Sequence, residues 1–189
     1  MPSEGNQEAR EALKRVAVTL KQAGVRFALA GGYAAWAHGA PEPGHDVDFV
    51  VAEQDAAKAE AALVEEGLRV EHAPEDWLVK VFTDGAVVDV VHRLSNVPVG
   101  SPLLDLANEQ DVLSVYLPVL TATDVLISKM NALNEHKCDY STLLPVGRAL
   151  REQVDWERLR RETGGNDFAV AFLFLLDRLS ITCVPVRSP

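Results

Sequence analysis

Two aspartates one residue apart inside an apolar run, HDVDFVV at residues 45–51, constrain this chain more than any other feature. A strand presents residues i and i+2 on one face, so a strand over 46–51 points the carboxylates of Asp46 and Asp48 the same way. Left unneutralised on a half-buried strand, such a pair repels by about 4 kcal/mol at an effective dielectric near 20. A hard divalent cation with oxygen ligands removes that cost, and Mg²⁺ held by one or two carboxylates keeps positions for substrate phosphates. The plainer alternative is a solvated strand end carrying two acids.

The residues before the aspartates bear on that choice. Residues 25–30 are short and apolar, the size of a buried strand, and they lead into Gly31-Gly32. One or two helical turns over 33–38 and a Pro/Gly loop over 39–44 then return the chain to the aspartates. A strand-Gly-Gly-helix junction lets backbone approach a ligand closely and offers free N–H groups to phosphate. It also makes a tight turn and nothing more.

A third acid stands out downstream. Residues 86–92, AVVDVVH, place Asp89 among four valines, on a strand joined to residues 77–83 by a tight turn at Asp84-Gly85. An acid there is costly unless it is paired or bound to a cation. It either bridges to an arginine or caps a helix, or it converges with Asp46 and Asp48 on one cation site.

The remaining pattern gives the architecture. Residues 6–23 have the apolar spacing of an amphipathic helix that Gly24 ends, and the alanine-rich stretch 54–66 is a surface helix. Residues 68–71 are a further strand, and 112–120 reads as one more strand whose Pro118 suggests a sheet edge. Helices are expected over 121–134, 141–151, 156–162 and 168–179. The fold class is α+β: a mixed sheet core flanked by helices over residues 1–120, then a helical bundle over 121–189. At 189 residues and 48% hydrophobic this is one domain, or a domain with a helical extension.

Charge and cysteines narrow the classes further. A net charge of −10 argues against broad, sequence-independent nucleic-acid binding, which draws on Lys and Arg contacts to phosphate, but leaves room for a local basic cleft. There is no run of eighteen apolar residues, and residues 1–15 show no signal-peptide pattern, so no membrane association is expected. Cys138 and Cys183 lack metal or redox spacing, and free thiols in a cytoplasmic protein are the economical reading. None of the five histidines shows metal-ligand spacing, and only His45 adjoins a candidate acid. Trp36, Trp77 and Trp156 read as core anchors.

Gly31-Gly32, then Asp46-x-Asp48, then a lone Asp89 together resemble the nucleotidyltransferase superfamily that shares its core with polymerase β. Within it, GGYAAWAHG followed by HDVDFVV is most similar to the minimal bacterial nucleotidyltransferases, including toxins of the abortive-infection E type, and to small antibiotic nucleotidyltransferases acting on aminoglycosides and lincosamides. The resemblance covers residues 25–92. It implies that Gly31 and Gly32 cradle the triphosphate of an NTP substrate while Asp46 and Asp48 hold Mg²⁺. Asp89 completes a second metal site or acts as general base, with two ions about 3.5 to 4 Å apart serving attack and pyrophosphate departure. Two departures are visible: Gly32 stands where many members have Ser, and Pro43-Gly44-His45 lacks the arginine many relatives carry.

The helical half offers replacement charge. SKMNALNEHKCDY is similar to the toxin-type signature in which a helix presents a lysine to the phosphates and a Lys-Asp pair follows, matching Lys129, Lys137 and Asp139. Lys129 either reaches a partner in the site or snorkels at the edge of an apolar face. Asp139 either orients a lysine or caps the next helix. Arg148, Arg151, Arg158, Arg160 and Arg161 interleave with acids, which favours a salt-bridged solvent face over an RNA track.

The expected activity is Mg²⁺-dependent transfer of NMP to a hydroxyl. An RNA acceptor, a tRNA 3′ end, and a toxin paired with a cognate antitoxin protein come first. An antibiotic acceptor, or a catalytically silent binding protein of the same fold, are the alternatives.

Overall fold

The computed structural model describes residues 4–44, 46–74, 76–94 and 97–182. In chain order the elements are α1 (Glu4–Gln22), β1 (Phe27–Ala30), α2 (Gly31–Ala37), β2 (Val47–Val51), a 3-10 turn at Glu53–Asp55, α3 (Ala56–Glu65), β3 (Arg69–His72), β4 (Leu78–Thr83) and β5 (Ala86–Val91). There follow β6 (Arg93–Leu94), β7 (Val97–Pro98), α4 (Ser101–Asp105), β8 (Asn108–Val112), β9 (Val115–Val119), α5 (Ala122–Asn131), α6 (Tyr140–Leu150), α7 (Trp156–Thr163) and α8 (Asp167–Arg178). His45 and Cys183 lie outside the described residues; Cys138 is free and exposed.

The apolar stripe of α1 decides how the sheet is covered. Ala9, Leu13, Val16, Ala17 and Leu20 recur at helical spacing and are fully buried against β2, β5, β9 and α3. Truncating Leu13 to Ala would cost about 2–5 kcal/mol. Gly24 stops the helix at φ +61°, with Gly24 N donating to Lys21 O and Val25 N to Leu20 O, the paired bonds of a left-handed C-terminal cap.

Seven strands form one mixed sheet in the order β3-β4-β5-β2-β1-β9-β8. β1 runs antiparallel to β2, β2 parallel to β5, and β1 parallel to β9. All four residues of β1 are buried, so the middle of the sheet is covered on both faces. On this sheet α2 packs against β1 and β2 and also meets α5, the first helix of the C-terminal group α5–α8. The α+β class and mixed sheet expected from the sequence are thus present. Among the described residues, no helix is long and apolar enough to cross a membrane.

The expected single strand over 112–120 is instead a hairpin. Leu113 and Ser114 both take positive φ (55° and 67°), which turns the chain between β8 and β9. Neither residue is one that favours this conformation; Asp111 Oδ1 accepts from Ser114 N and supports the turn. β9 is therefore internal and β8 is the edge, contrary to the edge that Pro118 suggested. Its pairing with β1 is registered only at Leu29 and Val119, so a missing N–H at Pro118 interrupts little of that ladder.

Candidate active site

Strand register brings two of the three acids together. In the parallel β2/β5 pair Asp48 lies opposite Asp89, and in the antiparallel β1/β2 pair it lies opposite Ala30, the residue before the glycines. Asp46 precedes β2 and is exposed, whereas Asp48 and Asp89 are half-buried.

Gly31 is where the chain has no freedom to vary. It adopts φ +60°, and a Cβ on it would lie 1.7 Å from Asp48 Oδ2, so the Asp48 carboxylate occupies the space any other side chain would need. The next amide, Gly32 N–H, donates to the same carboxylate. A Cβ on Gly32 would meet Pro43 at 2.8 Å, which packs the loop against the turn. The loop is held from the other side by Arg10, whose Nε and Nη2 each donate to a Glu42 oxygen at 2.7 Å. The glycine pair thus makes a tight turn whose first service is to Asp48.

The electrostatics of Asp48 are unbalanced. Burial pushes its carboxyl above the usual range, and repulsion by Asp89 and Asp46 pushes the same way; attraction to Lys129 and the Gly32 N–H oppose them. Lys129 on α5 shows the mirror effect: burial lowers its ammonium below the lysine range, Lys137 lowers it further, and Asp48 and Asp46 draw it back up. Lys129 therefore reaches toward the acids from a half-buried position.

Asp89 has a partner the sequence reading passed over. Lys80 Nζ donates to Asp89 Oδ1 at 2.9 Å across the β4/β5 hairpin, so the bridging partner is a lysine and not the arginine or helix end considered above. The signal was there: a two-residue turn at Asp84-Gly85, both at positive φ, fixes a register in which Lys80 faces Asp89.

Two cavities meet at this acid. One, of about 320 Å³, is bounded by Gly31, Asp48 and Asp89 on the sheet side and by Lys129 and Lys137 on the helical side, with Trp77 and Arg93 on its wall. The other, of about 580 Å³, lies beyond Asp89 and is lined by Asp46, Lys80, Glu8 and Phe82 among others. Trp77 is therefore a cavity residue as well as a packing residue. Arg93, four positions past Asp89, also escaped the sequence reading; only its nearness to the acid strand could have flagged it.

Asp139 takes the capping role. Its side chain accepts from Ser141 N and Ser141 Oγ at the start of α6, and these bonds hold its carboxyl below the usual range. It also lines a neighbouring hollow with Lys129 and Lys137. The arginine-rich helices carry ion pairs: Arg158 with Asp124 and Glu162, Arg160 with Asp177, and Arg151 with Glu152.

In kind, the donor set suits a hard divalent cation. It is three carboxylates, two in cross-strand register, with one of them short of compensating positive charge. In their present rotamers no three such side chains among the described residues form a ready cluster, because Lys80 engages Asp89 and the Gly31-Gly32 turn holds Asp48.

A family model described as an uncharacterised nucleotidyltransferase matches residues 3–184. No curated protein matches the chain in sequence. Among solved structures it is similar to the antibiotic-resistance factor ANT(2″)-Ia in solution, with TM-score 0.62, 11% identity, and 95% of this chain and 99% of that one covered. The crystal structure of ANT(2″)-Ia with adenylyl-2″-tobramycin gives TM-score 0.60 at 10% identity over 88% and 97% of the two chains. The lincomycin-bound lincosamide antibiotic adenylyltransferase LnuA gives 0.52 at 12% identity over 72% and 92%. These likenesses are in fold.

Proposed function

The chain belongs to this nucleotidyltransferase family and is an enzyme of that class, and we propose that it transfers NMP from an NTP to the hydroxyl of a small acceptor with Mg²⁺ as cofactor. The observation that carries this reading is the pair of cavities meeting at Asp89, one walled by cations and one on the far side of the acids. A triphosphate suits the first, beside Lys129 and Lys137. The second, at about 580 Å³, is of a size that takes a small molecule.

In this mechanism the acceptor oxygen attacks the α-phosphorus, the bond from that phosphorus to the bridging oxygen breaks, and pyrophosphate leaves. Asp89 accepts the hydroxyl proton at Oδ2 while Lys80 engages Oδ1. Lys129 and Lys137, from the helical region after residue 120, sit against the phosphates and offset charge building on the leaving group. Asp46 and Asp48 are the residues that would hold Mg²⁺, and Asp89 serves as base in place of completing a second metal site. When bound, the ion neutralises triphosphate charge and polarises the reacting phosphoryl group. Gly31 keeps Asp48 close to the phosphate end of the cavity.

A small acceptor is favoured because three of the five arginines that would receive an RNA strand, Arg151, Arg158 and Arg160, are engaged with acids. An RNA-directed, toxin-type enzyme with an antitoxin partner, or a silent binding protein, are competing outcomes of one assay. The protein is incubated with each α-³²P-NTP and Mg²⁺, together with aminoglycosides, lincosamides or total RNA. The proposal expects a labelled small product that disappears in an Asp46→Asn/Asp48→Asn variant. Labelled RNA would replace the acceptor assignment. No product and no Mg²⁺-dependent NTP binding would support the silent protein.

A further inference from the structure

We infer that Arg93 is a phosphate-positioning residue of the nucleotide site, held by Glu53 until an NTP arrives. This inference rests on the nucleotidyltransferase reading above and deepens it by naming a further cation for the phosphates.

Arg93 lies in β6, two residues past the end of the acid-bearing β5, and shares the 320 Å³ cavity with Asp48, Lys129 and Lys137. Its Nε and Nη2 both donate to a single oxygen, Glu53 Oε1, at 3.2 and 3.1 Å. The same oxygen lies 3.9 Å from His92 Nδ1, and Asp76 is 4.0 Å from Arg93 Nη1. A guanidinium satisfied at one carboxylate oxygen gives up little when offered two phosphate oxygens, because a forked, bidentate arrangement is the stronger one. Glu53 sits in the short turn after β2 with a side chain 43% exposed, so water can solvate it once Arg93 leaves.

The position of Arg93 also complements that of the lysines. Lys129 and Lys137 come from the helical region, and Arg93 comes from β6, which pairs with β7 outside the seven-stranded sheet; all three line the same cavity. A triphosphate lying between Gly31 and Lys137 would then meet cations from two separate parts of the chain. Because Glu53 competes for the guanidinium, removing the glutamate charge should strengthen nucleotide binding, whereas removing the arginine should weaken it. A purely structural ion pair has no such opposite signs.

The test is direct titration of the full chain with each NTP and the matching NMP, in Mg²⁺, for wild type, Arg93→Ala, Arg93→Lys and Glu53→Gln. Losing a charge-assisted contact predicts that Arg93→Ala weakens NTP binding by about tenfold or more while NMP binding changes less than about twofold. Arg93→Lys should recover part of the loss, and Glu53→Gln should bind NTP more tightly than wild type. Both Arg93→Ala and Glu53→Gln break the same pair, so their melting temperatures should fall together while affinities move apart. If wild type binds NTP and Arg93→Ala binds it equally well, or if Glu53→Gln weakens binding as much as Arg93→Ala does, the inference is overturned and the nucleotidyltransferase reading stands. If wild type binds no NTP, both fall.

Discussion

The acids of the central strands and the arginine-rich helices treat charge in opposite ways. In α5 and α7, Asp124 is almost fully buried yet is met by Arg158, which also binds Glu162 one turn along its own helix. Where the central strands β2 and β5 pair, Asp48 is held against Gly31 with two other carboxylates nearby, and burial outweighs the attraction of Lys129. The first region has matched its charges within the fold. The second has left negative charge that a cation or a cationic neighbour must answer, and that imbalance is what marks a site.

Substitutions can break this contrast, and the largest effect is expected at the acids. Asp46→Asn or Asp48→Asn should lower NMP transfer by on the order of 10³-fold or more, about 4 kcal/mol of transition-state stabilisation, with the fold intact by circular dichroism. In the helices the corresponding loss is of stability. Arg158→Ala strands the buried Asp124 carboxylate and should cost about 3 kcal/mol in urea unfolding, while transfer by the folded protein is unchanged.

Lys129→Met comes next, with transfer reduced by about 10²-fold if its ammonium serves the phosphates as proposed. The smallest effect belongs to Arg151→Ala, whose pair with Glu152 is more than half exposed on both sides and should change stability by less than about 0.5 kcal/mol. Equal losses from Arg151 and Arg158 would remove the basis for the contrast.

The pH dependence follows from the same two groups. Asp48 has a raised folded pKa, so its contribution to stability is present below the ordinary Asp range, about pH 4, and is lost as pH rises through the raised value. Lys129 has a lowered one, so its contribution is present above the ordinary Lys range, about pH 10, and is lost as pH falls through its folded value. Between those limits, metal-free protein carries both penalties. Thermal melts from pH 4 to 8 should therefore decline more steeply for wild type than for Asp48→Asn.

Much of the fold was legible because its signals are local. The stripe of α1, the alanine-rich α3, Gly24 and the Asp84-Gly85 turn each follow from a few adjacent residues. The β8/β9 hairpin was not, since Leu113 and Ser114 carry no turn signature and the support comes from Asp111. At the site, Asp48 and Asp89 announced themselves as acids in apolar strands, and Asp46 by its spacing from Asp48. Lys80 and Arg93 did not, for a lysine in an alternating strand and an arginine after one are ordinary until pairing shows what they face.

The most direct measurement of the central claim compares melting temperatures of wild type and Asp48→Asn at pH 7.5, first in EDTA and then with Mg²⁺ and an equimolar mixture of the four NTPs. An acid site kept short of positive charge for a cation and nucleotide predicts that Asp48→Asn melts higher in EDTA, by about 2–4 °C for each kcal/mol relieved. It further predicts that only wild type gains on adding Mg²⁺ and NTP. Equal melting in EDTA together with equal gains from Mg²⁺ and NTP would contradict it.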